Sequence, residues 1–261
     1  MQKVISKDGT QIAFEKSGQG PVLIIIGGSL ADHHFYVPLA DELAKQFTLY
    51  NFDRRGRGQS GDTQPYAVER EIEDVDALIA HAKAPVVIYG HSAGSALALR
   101  AAAAGLNITK LALADPPYTP HGEADETAKA EFAKEAAYIQ ELHDKDDHKG
   151  SAKFFLSGFG LSAEDAEEML QSPAGESMID CAHALPYDYA MLGNGLVPTD
   201  LAAKVKVPTI ILASKAMPET AQALANVMLN ARLQAMDAPT HELSPEVLVP
   251  VLQKFFNVNS G

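Results

Sequence analysis

Apolar positions along the chain follow two rhythms. Unbroken runs occupy 22–26, 47–52, 86–89, 111–114, 209–213 and 233–236. Runs without alternation suit strands buried on both faces, as in a parallel sheet covered on each side. Between them lie helical patterns, clearest at Ile72, Val75, Ile79 and Ala82. Their three- and four-residue spacing forms one stripe and leaves Glu69, Glu71, Glu73 and Asp74 to face water. Strand alternating with helix predicts an α/β architecture, a mostly parallel central sheet flanked by helices. Near the start, Val4-Ile5 and Ile12-Ala13-Phe14 flank Asp8-Gly9, a dipeptide suited to a tight hairpin turn, so an antiparallel pair is expected there.

The alternation stops between 118 and 200, where helix follows helix. Phe132, Glu135, Ala136, Ile139 and Leu142 trace one helical period, and Ser162 with Asp165 forms a capping-box pattern before a helix ending near Ser172-Pro173. The expected organisation is a core of 1–117 and 201–261 with a helical cap insertion at 118–200. The sheet resumes at Val205, and Val247, Leu248, Val251, Leu252, Phe255 and Phe256 give a closing amphipathic helix. No repeat or low-complexity segment interrupts the pattern.

Charge narrows the partners. Thirty-four acidic residues against 21 basic ones leave a net charge of −13, which repels phosphate backbones and anionic lipid. A small-molecule substrate is expected, with no nucleic acid and no membrane. The stretch 95–106 is broken by Arg100 and is short of a bilayer span. Cys181 is the single cysteine, so neither an internal disulfide nor a thiolate-rich zinc site is available. The first residues turn polar before any signal sequence develops, which points to the cytoplasm. Nothing in the sequence sets an oligomeric state.

The chemistry concentrates at Val86-Val87-Ile88-Tyr89-Gly90-His91-Ser92-Ala93-Gly94, a strand ending in Gly-x-Ser-x-Gly and followed at once by the Ala-rich helix 95–104. That context marks Ser92 as a nucleophile raised above the sheet on a sharp turn. Glycines on either side are needed because such a turn leaves no room for neighbouring Cβ atoms.

At this point the chain resembles the α/β-hydrolase superfamily over nearly its whole length. Four segments carry the likeness: Gly27-Gly28-Ser29-Leu30, the turn from Asn51-Phe52-Asp53-Arg54-Arg55-Gly56-Arg57 to Gly58-Gln59-Ser60, the Gly90 to Gly94 motif, and His241 after the last strand. The resemblance implies a serine nucleophile, a histidine base, an acid that orients it and an oxyanion hole, and requires no cofactor or metal. Among nine histidines, His241 holds the family's position for the base. The acid is less direct. Most members carry aspartate after the strand at 209–213, but here the loop reads Ser214-Lys215-Ala216-Met217-Pro218. Some subfamilies, including certain lactone hydrolases and haloalkane dehalogenases, place it one strand earlier, where Asp115 stands. Asp115 is the first choice and Glu219 the second. The implied oxyanion donors are the backbone amides of Ser29 and Ala93. The usual His-Gly start of that segment is replaced by Gly27-Gly28, which alters its local support.

Gly28, Leu30 and His91 are the candidate substrate contacts, with the His91 ring directed away from the serine along the turn. His33 and His34 either line a pocket or begin a helix. Asp53, Arg54, Arg55 and Arg57 read as the scaffold of a turn, and the run from His143 to His148 as a solvated helix end without metal. The implied activity is cofactor-independent hydrolysis of a carboxylic ester or lactone through an acyl-enzyme. Carbon–carbon bond hydrolysis or cofactorless peroxidation on the same triad, and non-catalytic ligand binding, stay open at this point.

Overall fold

A computed structural model describes residues 1–256; positions 257–261 of the expected core span lie outside the described residues. Eight strands form one sheet in the order β1-β2-β4-β3-β5-β6-β7-β8. β1 (Gln2–Ile5) and β2 (Gln11–Ser17) make the expected antiparallel hairpin, with Gly9 at φ +89° in its turn. β2 also runs antiparallel to β4 (Thr48–Phe52). All later pairings are parallel, through β3 (Val22–Ile26), β5 (Val86–His91), β6 (Ile108–Ala114), β7 (Thr209–Ala213) and β8 (Ala231–Ala235). Beta-branched and aromatic residues dominate the inner strands because both faces must pack. In β3, Ile24 and Ile26 enter one apolar layer while Leu23 and Ile25 enter the other. The first layer is completed by α2 (Val68–Ala82), α3 (Ala93–Ala103) and α10 (Pro218–Val227), the second by α1 (Val37–Leu43) and α11 (Pro245–Phe256).

Boundaries shift in two places for local reasons. β6 begins at Ile108, three residues before the apolar run, because Thr109 and Lys110 sit where the strand enters the sheet. Val205 is buried in the first apolar layer but precedes β7, whose first residue is Thr209, after Pro208. Between β6 and β7 the chain passes through α4 (Asp125–Asp144), α5 (His148–Ser157), α6 (Ala163–Leu170), α7 (Pro173–Cys181), α8 (Leu185–Leu192) and the short α9 (Thr199–Ala202). Ser162 caps α6 through the Asp165 amide, as its spacing requires. Ile139, Ala152, Leu170, Ala182 and Leu185 form a separate small core that also takes in Leu30 from the sheet side. Entry and exit of this stretch are joined by a bridge between Thr119 and Leu196. No helix among the described residues is long and apolar enough to cross a membrane.

One expectation fails. Glu71 and Asp74 of α2 do not face water; both are buried, at 1% exposure. They receive the arginines of the turn after β4. Arg54 binds Glu71 in two-pronged fashion at 2.7 and 2.9 Å, and Arg55 binds Asp74 at 2.8 Å on both prongs. Arg54 and Arg57 also converge on Oδ1 of Asp188 in α8, each at 2.8 Å. Burial opposes ionisation of Asp188, but the guanidiniums of Arg57 and Arg54 prevail and lower its pKa. The structural reading of the arginines therefore holds, and its reach includes the helices beyond β6. Replacing Asp188 by alanine would leave Arg57 without a carboxylate. Urea denaturation of Asp188→Ala should show a loss of about 3–5 kcal/mol, and a loss under about 1 kcal/mol would contradict this role.

Candidate active site

Ser92 sits between β5 and α3 with φ +53° and ψ −125°, a sparsely populated conformation for any residue with a side chain. Packing enforces it. A Cβ at Gly90 would lie 2.6 Å from the Gly94 carbonyl oxygen, and one at Gly94 would run into the Ile26 carbonyl. The Ser92 amide donates to Ala114 O at 2.9 Å, and the Ser95 hydroxyl lies 2.8 Å from Gly90 O and 2.9 Å from Ala114 O. The turn is thereby tied to the end of β6.

Asp115 follows directly and is fully buried, with φ +43°. Its Oδ1 accepts from the Ser214 amide at 2.8 Å, and its Oδ2 lies 3.1 Å from His241 Nδ1. A carboxylate at Nδ1 assigns the proton to that nitrogen and leaves a lone pair on Nε2. His241 Nε2 is buried without a hydrogen-bond partner among the described residues. It makes no hydrogen bond to Ser92 here, although both residues line one cavity; such contacts often tighten only when substrate is bound. Glu219 opens α10 and is not the carboxylate at His241.

The cavity has a volume of about 500 Å³. Gly28, Ser29, Leu30 and His91 line it, together with Tyr36, Phe155, Phe159, Met169, Met178 and Glu242. Among the described residues the amides of Ser29 and Ala93 have no protein acceptor. The Gly28 amide is spoken for, donating to the Tyr36 hydroxyl at 2.9 Å.

His91 is held at both ring nitrogens. Its ring stacks on that of His241 at 4.8 Å between centroids, and Phe159 stacks on the His241 ring at 5.1 Å. Its Nε2 lies 3.0 Å from the His241 carbonyl oxygen and its Nδ1 3.0 Å from the Tyr36 hydroxyl. Burial, aided by repulsion from His241, lowers the His91 pKa to about 4. His33 and His34 begin a 3-10 turn, His33–Tyr36, and bind Asp53 and Asp32 rather than the Ser92 cavity. Asp53, fully buried, accepts from the His33 and Gln59 amides, as a scaffold residue should. Tyr36 gave no sequence signal: one aromatic ahead of a short helix resembles any core residue.

The chain belongs to the alpha/beta hydrolase family, which it matches over residues 23–250. A solved alpha/beta hydrolase from Sphaerobacter thermophilus is 39% identical, with a TM-score of 0.85 over 98% of this chain and all of that one. The chain is also 33% identical to a pimeloyl-[acyl-carrier protein] methyl ester esterase of Stenotrophomonas maltophilia over 160 residues, 60% of this chain and 59% of that protein. It matches an uncharacterized hydrolase of Bacillus subtilis at 28% identity over 35% of each chain. The chain thus spans about a third to three fifths of the length of these curated relatives. An enol-lactonase from Burkholderia xenovorans shares the fold at 19% identity, with a TM-score of 0.65 over 98% of each chain.

The acid response of His91 is a direct consequence of its burial. Its pKa falls from 6.5 unfolded to about 4 folded. The unfolded chain therefore binds more protons in that window, and stability present above pH 6.5 is lost as pH falls towards 4, by about 3 kcal/mol. Urea titrations should show His91→Gln losing less stability between pH 6.5 and 4 than the parent; parallel curves would contradict the assignment.

Proposed function

We propose that the chain is a cofactor-independent serine hydrolase that cleaves a carboxylic ester or lactone through an acyl-enzyme. The observation that carries this reading is the unpartnered Nε2 of His241, oriented by fully buried Asp115, in the cavity that also holds strained Ser92. A serine hydroxyl is a weak nucleophile until a base takes its proton. As Ser92 Oγ attacks the substrate carbonyl carbon, its proton passes to His241 Nε2, and Asp115 stabilises the imidazolium formed. The carbonyl oxygen becomes an oxyanion and accepts from the Ser29 and Ala93 amides. Collapse breaks the bond to the leaving oxygen, which takes the proton from Nε2. In a lactone that oxygen stays tethered to the acyl group. Water, deprotonated by the same imidazole, then releases the acid and restores Ser92.

The walls favour an uncharged, apolar acyl group. Phe155, Phe159, Leu161, Met169 and Met178 contribute hydrocarbon and sulfur, and no lysine or arginine is among the described residues of the lining. Glu242 and the net charge of −13 disfavour an anionic acid. The helices between β6 and β7 act in this reading as a cap that supplies most of these walls.

Ser92→Ala should abolish turnover of p-nitrophenyl butyrate and labelling by a fluorophosphonate probe, with Tm held near the parent value. Asp115→Asn should lower kcat by about 10⁴-fold, because an amide at that site favours the wrong imidazole tautomer. Unchanged turnover in folded Ser92→Ala, or a loss below about tenfold in Asp115→Asn, would overturn the reading.

A further inference from the structure

We propose that Tyr36 and His91 form a hydrogen-bonded brace that holds the oxyanion segment after β3 against the backbone of the loop bearing His241, so that both are positioning residues for the reaction at Ser92. The inference rests on the reading of Ser29, Ser92 and His241 given above.

The brace runs through three contacts. The Gly28 amide meets the Tyr36 hydroxyl at 2.9 Å, that hydroxyl meets His91 Nδ1 at 3.0 Å, and His91 Nε2 meets the His241 carbonyl oxygen at 3.0 Å. Its proton positions have one solution. A carbonyl only accepts, so Nε2 of His91 carries the proton. Burial keeps the ring neutral near pH 7, so Nδ1 offers a lone pair to the Tyr36 hydroxyl. The Tyr36 oxygen then accepts from Gly28. Every donor and acceptor in the series is used once, and reversing any one bond leaves two protons or two lone pairs facing each other.

Its ends lie beside the groups that matter. Gly28 precedes Ser29, whose amide is an oxyanion donor, and the gripped carbonyl belongs to the base residue itself. The Tyr36 ring also fills the space beside Gly27, where a Cβ would lie 2.7 Å from its Cε2. Gly27 and Tyr36 therefore fit as a pair: the tyrosine supports the strand end from outside the segment, in place of a side chain on it. His91 uses both nitrogens internally, so it meets substrate by its ring surface and not by hydrogen bonding. Because Ser29 acts on charge that develops during attack, loosening the brace should weaken the transition state more than the bound ground state.

Tyr36→Phe tests this by deleting one oxygen while keeping the ring. With p-nitrophenyl butyrate, kcat should fall about tenfold or more with KM within about twofold. Affinity for an alkyl boronic acid, which mimics the tetrahedral adduct, should fall by the same factor as kcat/KM. Tyr36→Phe/His91→Gln should be no worse than the poorer single variant, because the brace fails as a unit. Each rate is normalised to the fraction of protein labelled by a fluorophosphonate. A merely structural role would lower that fraction and Tm, with parent kcat in the labelled molecules, and this result would overturn the brace. So would parent boronate affinity in Tyr36→Phe. A parent enzyme that does not label at Ser92 would overturn the active-site reading and the brace together, whereas normal labelling with unaffected single variants removes the brace alone.

Discussion

The close approach of the β5–α3 turn to the end of β3 is the constraint on which the site depends. Glycine at 94 lets the first turn of α3 press against the Ile26 carbonyl, and glycine at 90 lets the same turn fold back on itself. The Ser92 backbone then has no relaxed alternative. Its strained conformation costs about 1–3 kcal/mol, opposed by the Ser92 amide bond and the paired contacts of the Ser95 hydroxyl to β5 and β6. The same approach leaves no room at Gly28, where a Cβ would lie 3.0 Å from that of Ser92. Asp115 is the next residue after the strand to which the turn is tied. One packing contact therefore sets the serine and the carboxylate in a common frame.

A second frame is electrostatic. The three arginines after β4 are almost completely buried, and the four carboxylates they meet come from three elements: Asp8 from the β1–β2 turn, Glu71 and Asp74 from α2, and Asp188 from α8. Buried ion pairs give little net stability, because desolvation offsets their attraction, but they resist rearrangement strongly. Their effect here is placement. Asp188 fixes α8, and Leu185 at the start of α8 belongs to the small core that shares Leu30 with the cavity wall. The arginine turn and the cavity are thus linked through α8.

Local signals made much of this visible in the sequence. Unbroken apolar runs gave the central strands, Asp8-Gly9 gave the hairpin, and Gly-x-Ser-x-Gly between strand and helix gave the turn that carries Ser92. The choice of Asp115 over Glu219 came from the family resemblance and not from a local pattern, and Asp115 is the carboxylate that meets His241 Nδ1. What was hidden depended on contacts between distant segments. Glu71 and Asp74 fall on the polar side of a helical stripe, and only the arrival of Arg54 and Arg55 turns that side inward. The direction of the His91 ring depends on Tyr36, 55 positions earlier, and on His241, 150 positions later. Neither relation has a local pattern.

With Asp115 after β6 as the carboxylate of the proposed triad, less is asked of the loop after β7. Position 214 contributes a main-chain N–H to Asp115, something every residue except proline can supply. The neighbouring side chains are thereby released from proton chemistry, and Ala216 already borders the substrate space. In the proposed reaction this loop is a place where acyl-group preference can drift through substitution while the contact between Asp115 and His241 stays untouched.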